Sequence, residues 1–137
     1  MHEHRRFDHT FLPRPDSVWQ ARAFVSTSLA TQEAPLDRDV HDAAMLITSE
    51  LATNAVCHAH TPFEVEVLMA PDDLVISVTD GDPTIPTALE PSDTRTSGRG
   101  LALVEGCSEE WGIERIYGGK RIWSRPRASG CPSPSMS

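Results

Sequence analysis

The stretch that decides the fold is FEVEVLMAPDDLVISVT, residues 63–79. Its first half, 63–69, alternates apolar and polar side chains, and its last part, 74–79, does nearly the same. Alternation with a period of two is typical of strands that bury one face, and the intervening APDD (70–73) is typical of a turn. The stretch therefore predicts two adjacent antiparallel strands.

Two helices are predicted upstream of this hairpin. The first, capped by Asp16 or Ser17, is expected to run to about Thr31, and the second from near Asp37 to about Cys57. Both predictions rest on apolar residues at helical spacing. These are Val18, Ala21, Val25 and Leu29 in the first helix, and Val40, Ala43, Ala44, Ile47, Leu51 and Ala55 in the second.

The outer segments complete the predicted layout. Residues 7–12, which end at Pro13, favour an edge strand, because proline cannot continue a ladder of hydrogen bonds. Residues 100–106 predict a short helix entered through glycines, and 111–117 with 120–124 predict a final hairpin. This order predicts an α/β (α+β) two-layer sandwich, in which helices cover one face of a mixed, mainly antiparallel sheet.

Length and composition limit the possible functions. The 137 residues suit a single domain, predicted over 7–125, followed by a disordered Ser/Pro-rich tail over 126–137. The 12 Lys and Arg against 20 Asp and Glu give a net charge of -8, which argues against a nucleic-acid-binding surface. No long apolar run or signal core is present, so we expect a soluble cytoplasmic protein without a membrane partner.

The three cysteines predict neither a disulfide framework nor a zinc site. Cys57, Cys107 and Cys131 are odd in number and form no Cys-x-x-Cys pair. Two of them are interpreted as small apolar packing residues and one as part of the tail. His58 and His60, beside Cys57, are assigned to a loop or a helix end rather than to a metal.

Three local patterns predict a nucleotide site. Glu50 and Asn54 lie four apart on one helix face, and an asparagine oxygen is a suitable ligand for magnesium. Asp80 follows a strand, where its carboxylate can accept the amino group of adenine, and Gly98 and Gly100 precede a helix whose free N–H groups favour phosphate. Each pattern also has an ordinary explanation: a solvated helix face, an Asp-Gly turn, or a flexible loop.

In order along the chain, these patterns resemble the three ATP-site boxes of the Bergerat-fold ATPases, which include gyrase, the heat-shock chaperone ATPase, histidine kinases and the mismatch-repair ATPases. The matching segments are ELATNAVCHA (50–59), VTDGDP (78–83) and GRGLALV (98–104). More narrowly, the chain resembles the anti-sigma-factor serine kinases and the short actinobacterial ATP-binding proteins related to them. The joint order of the boxes is far more specific than any one box.

The resemblance implies a role for each matching residue. Glu50 would be the general base that accepts the proton of a serine hydroxyl, Asn54 would bind magnesium, and Asp80 would contact adenine. Gly98 and Gly100 would admit the phosphates. Further nucleotide contacts are implied at His58, for which a helix-end role is the alternative, and at Gly81, Arg99 and Leu101.

One position departs from the wider superfamily, which has a second glycine two residues after the aspartate. Here Asp82 occupies that place. The segment 84–97 would be the lid over the ATP.

The resemblance implies an ATP- and magnesium-dependent serine/threonine protein kinase that is also an anti-sigma factor. Such a protein regulates transcription by holding a sigma factor and by phosphorylating an anti-anti-sigma partner. Two alternatives stay open: a non-catalytic ATP-binding module that acts by protein contact alone, and a sandwich domain without nucleotide. A homodimer paired along the edge strand 7–12 is a further expectation.

Overall fold

The computed structural model describes residues 4–32, 36–85 and 95–132, with only the backbone described for 95–100. The described strands form one sheet in the order β1-β2-β3-β5-β4, with every neighbouring pair antiparallel. The predicted two-layer α+β sandwich is confirmed. The elements are β1 (Arg5–Phe11), α1 (Ser17–Leu29), α2 (Arg38–Asn54), a π-helical turn (Ala55–Ala59), β2 (Phe63–Ala70), β3 (Asp73–Asp80), α3 (Arg95–Cys107), β4 (Ser108–Ile116) and β5 (Gly119–Pro126).

The hairpin predicted from residues 63–79 lies at the centre of the sheet. Val65 faces Val78 and Val67 faces Ile76 across β2 and β3, and all four side chains are buried. A slip of one residue would turn this apolar set toward solvent, so the alternation sets the register as well as the strands.

Helix α2 forms the middle of the helical layer. Its N-terminus is capped by Asp37, whose carboxylate accepts the N–H of Asp39 at 2.9 Å. The predicted apolar stripe is buried, with Ala43 and Ile47 at 0% exposure and Leu51 at 1%. The stripe packs between the sheet and the neighbouring helices α1 and α3. Within the described part of the chain, no helix is long and apolar enough to cross a membrane.

Helix α3 is longer than its sequence predicts. It spans Arg95–Cys107 rather than 100–106, so Gly98 and Gly100 lie inside its first two turns instead of in front of it. The buried Leu101, Val104 and Cys107 hold one face of the helix in the core. The sequence favours a later start because glycine has a low intrinsic helix propensity, yet the helix includes both glycines.

The C-terminal end of α3 is tied to the chain beyond β5 by a disulfide between Cys107 and Cys131. The expectation of no disulfide is therefore wrong for these two residues, which lie 24 positions apart in the sequence. Cys57 is a free, exposed thiol rather than a packing residue. A loop of this length closed by a disulfide typically stabilises a fold by about 2–4 kcal/mol.

The folded part extends past the predicted boundary at residue 125. Pro126 ends β5, and the N–H of Arg127 donates to the Cys107 carbonyl at 2.9 Å. Gly130, at φ 80°, lies so close to α2 that a Cβ there would be 2.9 Å from that of Asp39. The chain therefore stays attached to the domain through Pro126, Arg127, Gly130 and Cys131, and 133–137 of the predicted tail lie outside the described residues.

The sheet face away from the helices is covered by charged side chains. Successive outward positions on neighbouring strands carry opposite charges, which pair across the strands. Because this face is charged rather than apolar, it does not need a third layer to cover it. The pairs are Arg6 with Glu66, Arg121 with Glu114, and Arg125 with both Asp73 and Glu110.

Candidate functional site

The three predicted patterns meet at one end of the sheet. Asp80 ends β3, where it lies opposite Phe63 at the start of β2 and Lys120 at the start of β5. Asn54 ends α2, and the π turn leads from it directly into this end of β2. Helix α3 joins β4 at Ser108, at the opposite end of the sheet, so its length of about 20 Å carries its N-terminus back toward Asp80.

Asn54 is a nearly buried amide that is available to a ligand. The residue is 7% exposed, and its side chain has no hydrogen-bond partner among the described residues. In that part of the chain, no fully buried side-chain nitrogen or oxygen lacks a partner, so this amide must reach open space. Asparagine oxygen is a neutral ligand that suits magnesium, and magnesium takes few protein ligands when phosphates supply the others.

The π turn after Asn54 was not predicted, since the sequence indicated a regular helix to about Cys57. The turn is closed by the N–H of His60, which donates to the Ala55 carbonyl at 3.0 Å, and His60 itself has a left-handed φ of 58°. Such π segments are frequent at functional sites. His58 lies on this turn and is exposed, whereas Asn54 is buried, so the contact predicted for His58 stays a prediction.

The two carboxylate oxygens of Asp80 differ in their hydrogen bonding. Its Oδ1 accepts the N–H of Asp82 at 2.8 Å and lies 3.2 Å from Nζ of Lys120. Its Oδ2 has no partner in the described part of the chain, although the residue is only 5% exposed. As at Asn54, an unpartnered oxygen must reach open space, so Oδ2 can accept a hydrogen bond from a ligand.

The loop after Asp80 has Asp82 at the position where the wider superfamily has glycine. Asp82 does not have a positive φ, so the backbone does not require glycine there. Its Oδ1 accepts the N–H of Thr84 at 3.0 Å, and hydrogen bonds from Thr84 hold the pKa of Asp82 below its usual range. On the other side, the N–H of Gly81 donates to Oγ1 of Thr61 at 2.8 Å.

Glu50 lies one helical turn before Asn54 on α2 and is partly buried. Both side chains therefore project from neighbouring points on the same helix. The role of Glu50 as a base stays a prediction.

At α3, the extended helix changes the predicted phosphate contacts. An α-helix leaves only the N–H groups of its first turn without intrahelical partners. Gly100 lies beyond that turn, and the side chain of Leu101 is buried in the core at 1% exposure. The side chain of Arg99, and residues 86–94 of the predicted lid, lie outside the described part of the structure.

Comparison with known proteins supports the fold. The sequence profile of the histidine kinase-like ATPase domain matches residues 11–125, which is most of the chain. The chain belongs to this family. A search of curated proteins found no match. As a histidine kinase-like ATPase domain, the chain has a fold that binds ATP, and the matched segment contains all three predicted patterns.

Sequence reasoning missed two residues that shape the site of this histidine kinase-like ATPase domain. Lys120 contacts Asp80, and Gly119 permits the close approach of β5 to the end of β3. The Gly118-Gly119 pair was interpreted as a hairpin turn, and neither Gly119 nor Lys120 was given a role in the site. A cross-strand contact between positions 40 residues apart requires the register of β3 and β5, which no local pattern supplies.

Replacing Gly119 by alanine is expected to destabilise this domain by about 1–3 kcal/mol, because a Cβ there would lie 1.9 Å from the Asp80 carbonyl oxygen. The backbone of β5 must move away from β3 to relieve that overlap. Gly106 is the matched control, since no heavy atom lies within 4 Å of its added Cβ, and Gly106→Ala should stabilise α3 by up to about 1 kcal/mol. Urea unfolding of both variants measures the difference, and equal stabilities would contradict the close approach.

Proposed function

We propose that this domain binds magnesium-ATP in a site at one end of the sheet, where Asn54, Asp80 and the N-terminus of α3 lie. We further propose that it transfers the γ-phosphate to a serine or threonine of a partner protein. The single observation that carries the proposal is the pair of nearly buried polar groups, the Asn54 amide and Oδ2 of Asp80, that open to a ligand at one end of a histidine kinase-like ATPase fold. Two nearly buried polar groups that still reach open space at the same end of a sheet are suited to form hydrogen bonds with a ligand.

Each side chain has a chemically suitable task. The oxygen of Asn54 would hold magnesium, which supplies charge neutralisation for the phosphates when bound. Oδ2 of Asp80 would accept the adenine amino group. The first turn of α3 would meet the phosphates with free N–H groups and with the positive end of its dipole.

The transfer step assigns Glu50 as the base. Its carboxylate would take the proton of the serine or threonine hydroxyl while that oxygen forms a bond to the γ-phosphorus. The bond from the γ-phosphorus to the bridging oxygen breaks, ADP leaves, and the partner carries the phosphate. The position of Glu50 one turn before Asn54, partly buried, supports this role.

The proposed partners are a sigma factor, which the domain would hold, and an anti-anti-sigma protein, which it would phosphorylate. This proposal rests on the resemblance to anti-sigma-factor serine kinases. The net charge of -8 also favours regulation through protein contacts rather than direct nucleic-acid binding. A homodimer paired along the free edge of β1 remains part of the proposal.

Two measurements test the proposal in sequence. Calorimetry and thermal melting with magnesium-ATP should show saturable binding, with stabilisation of about 2.7 kcal/mol at a hundred times the dissociation constant. Radiolabelled ATP with candidate anti-anti-sigma proteins encoded nearby should then label one of them on serine or threonine. Binding without any transfer would favour the non-catalytic ATP-binding module, and no saturable binding at millimolar ATP would contradict the whole proposal.

A further inference from the structure

Lys120 is a buried cation whose position is not explained by stability. The side chains of Lys120 and Asp80 are each only 3% exposed, and Nζ lies 3.2 Å from Oδ1. Removing two charges from water is expensive, and apolar residues of similar size often stabilise a fold as well or better. A buried pair at the end of two strands, next to the candidate site, therefore calls for a functional explanation.

The contacts of Lys120 join the Asp80 side chain to the backbone of the next loop. Nζ of Lys120 also donates to the Asp82 carbonyl oxygen at 2.9 Å, and the Asp82 N–H donates to Oδ1 of Asp80 at 2.8 Å. The three hydrogen bonds join Lys120, the Asp80 carboxylate and the backbone of Asp82 in one ring. Asp82 takes part through both its N–H and its carbonyl oxygen. These hydrogen bonds hold the loop at the position where the wider superfamily has glycine.

The same contacts distinguish the two oxygens of Asp80. Both hydrogen bonds to the carboxylate end on Oδ1, so rotation about the bond to the carboxyl carbon would break them. With Oδ1 held, Oδ2 points in one fixed direction. It has no partner among the described residues and reaches solvent. A carboxylate fixed in this way has a single acceptor available to a ligand.

We propose that Lys120 is a positioning residue for base recognition: it clamps Oδ1 of Asp80 so that Oδ2 accepts the 6-amino group of adenine. This inference rests on the proposed binding of ATP. Because the clamp sets the direction of Oδ2, Lys120 determines the preference for a 6-amino purine over a 6-oxo purine. The nucleotide with the same ribose and phosphates but a 6-oxo base is inosine triphosphate (ITP).

The preference for ATP over ITP separates this role from a structural one. A hydrogen bond to a charged group changes affinity by about 10- to 100-fold, so the unaltered domain should bind ATP more tightly than ITP by that factor. In Lys120→Met, Oδ1 of Asp80 keeps only the hydrogen bond from the Asp82 N–H, and the loop that carries this N–H loses its own contact with Nζ. The carboxylate is then no longer fixed in one direction, and the two affinities should come within about threefold of each other. Damage to the phosphate region or partial unfolding would instead weaken both nucleotides equally.

Arg121→Met is the matched control, because it removes a neighbouring cation from β5 that pairs with Glu114 on the outer face and does not contact Asp80. It should keep the full preference for ATP. If Lys120→Met does not fold, as judged by its thermal melt, Lys120→Gln serves instead. Its polar amide suits a buried polar site, but it is one bond shorter than lysine and uncharged, so it cannot make both contacts of Nζ. Its preference should also fall, by more than about threefold.

The outcomes are distinguishable. A Lys120 variant that is folded and keeps the ATP preference of the unaltered domain would overturn the positioning role and leave the proposed ATP binding intact. An unaltered domain that binds neither nucleotide would overturn both. Loss of the preference in the Lys120 variant alone, with Arg121→Met unchanged, supports the inference.

Discussion

Replacing Asn54 by alanine is expected to weaken magnesium-dependent ATP binding by at least about 100-fold while leaving the fold intact. Loss of a group that merely orients a metal ligand typically lowers metal affinity 10- to 100-fold, and a direct ligand should matter at least as much. The fold should tolerate the change because the Asn54 amide has no partner in the described structure to lose, and alanine is the best helix former.

Calorimetry with ATP, in magnesium and in EDTA, measures this effect. In EDTA the variant and the unaltered domain should bind ATP equally weakly, because the metal contact is absent from both. Ser49→Ala is the matched control, since it removes a polar group from the same helix. Among the described residues, the Ser49 hydroxyl bonds only to the Met45 carbonyl, at 2.9 Å. Tight binding by Asn54→Ala in magnesium, within about threefold of the unaltered domain, would exclude Asn54 as the magnesium ligand.

The parts of the fold that the sequence predicts are those governed by local periodicity. The alternation of residues 63–69 and 74–79 predicts β2, β3 and their pairing, because only one register buries Val65 and Val67 together with Val78. The apolar stripe of α2 is equally decisive, since Ala43 and Ile47 are completely buried where the spacing places them.

The errors lie where local chemistry is a poor guide. Glycines near residue 100 indicate the start of a helix, but α3 begins at Arg95 and includes them. The Cys107–Cys131 disulfide depends on the path of the chain after β5, which spacing cannot reveal. Cysteine count alone therefore gave the wrong expectation.

The residues of the candidate site show the same contrast between local patterns and long-range contacts. Asn54 and Asp80 were identified from the order of motifs along the chain, and the structure brings both to one end of the sheet. The contact of Lys120 with Asp80 follows from the register of β3 against β5, which join only after α3 and β4 have intervened. Motif order thus finds the residues proposed to contact the nucleotide more readily than the residue proposed to position one of them.

Glu50→Gln is expected to lower the rate of phosphate transfer by about 100- to 10,000-fold, which is the usual contribution of a general base. The change removes the group that accepts a proton but keeps the length and the hydrogen-bonding capacity of the side chain. ATP binding should remain within about threefold of the unaltered domain, because the proposed base acts on the hydroxyl of the partner and not on the nucleotide.

Single-turnover transfer to the labelled partner, with ATP affinity measured in parallel, separates catalysis from binding. A fall in rate at constant affinity means that Glu50 acts only in the transition state. Glu105→Gln on the exposed face of α3, near the end of the helix away from the site, is the matched control and should transfer at the normal rate. If Glu50→Gln lowers rate and affinity together, Glu50 supports the nucleotide site instead, and if it transfers normally, the base lies elsewhere.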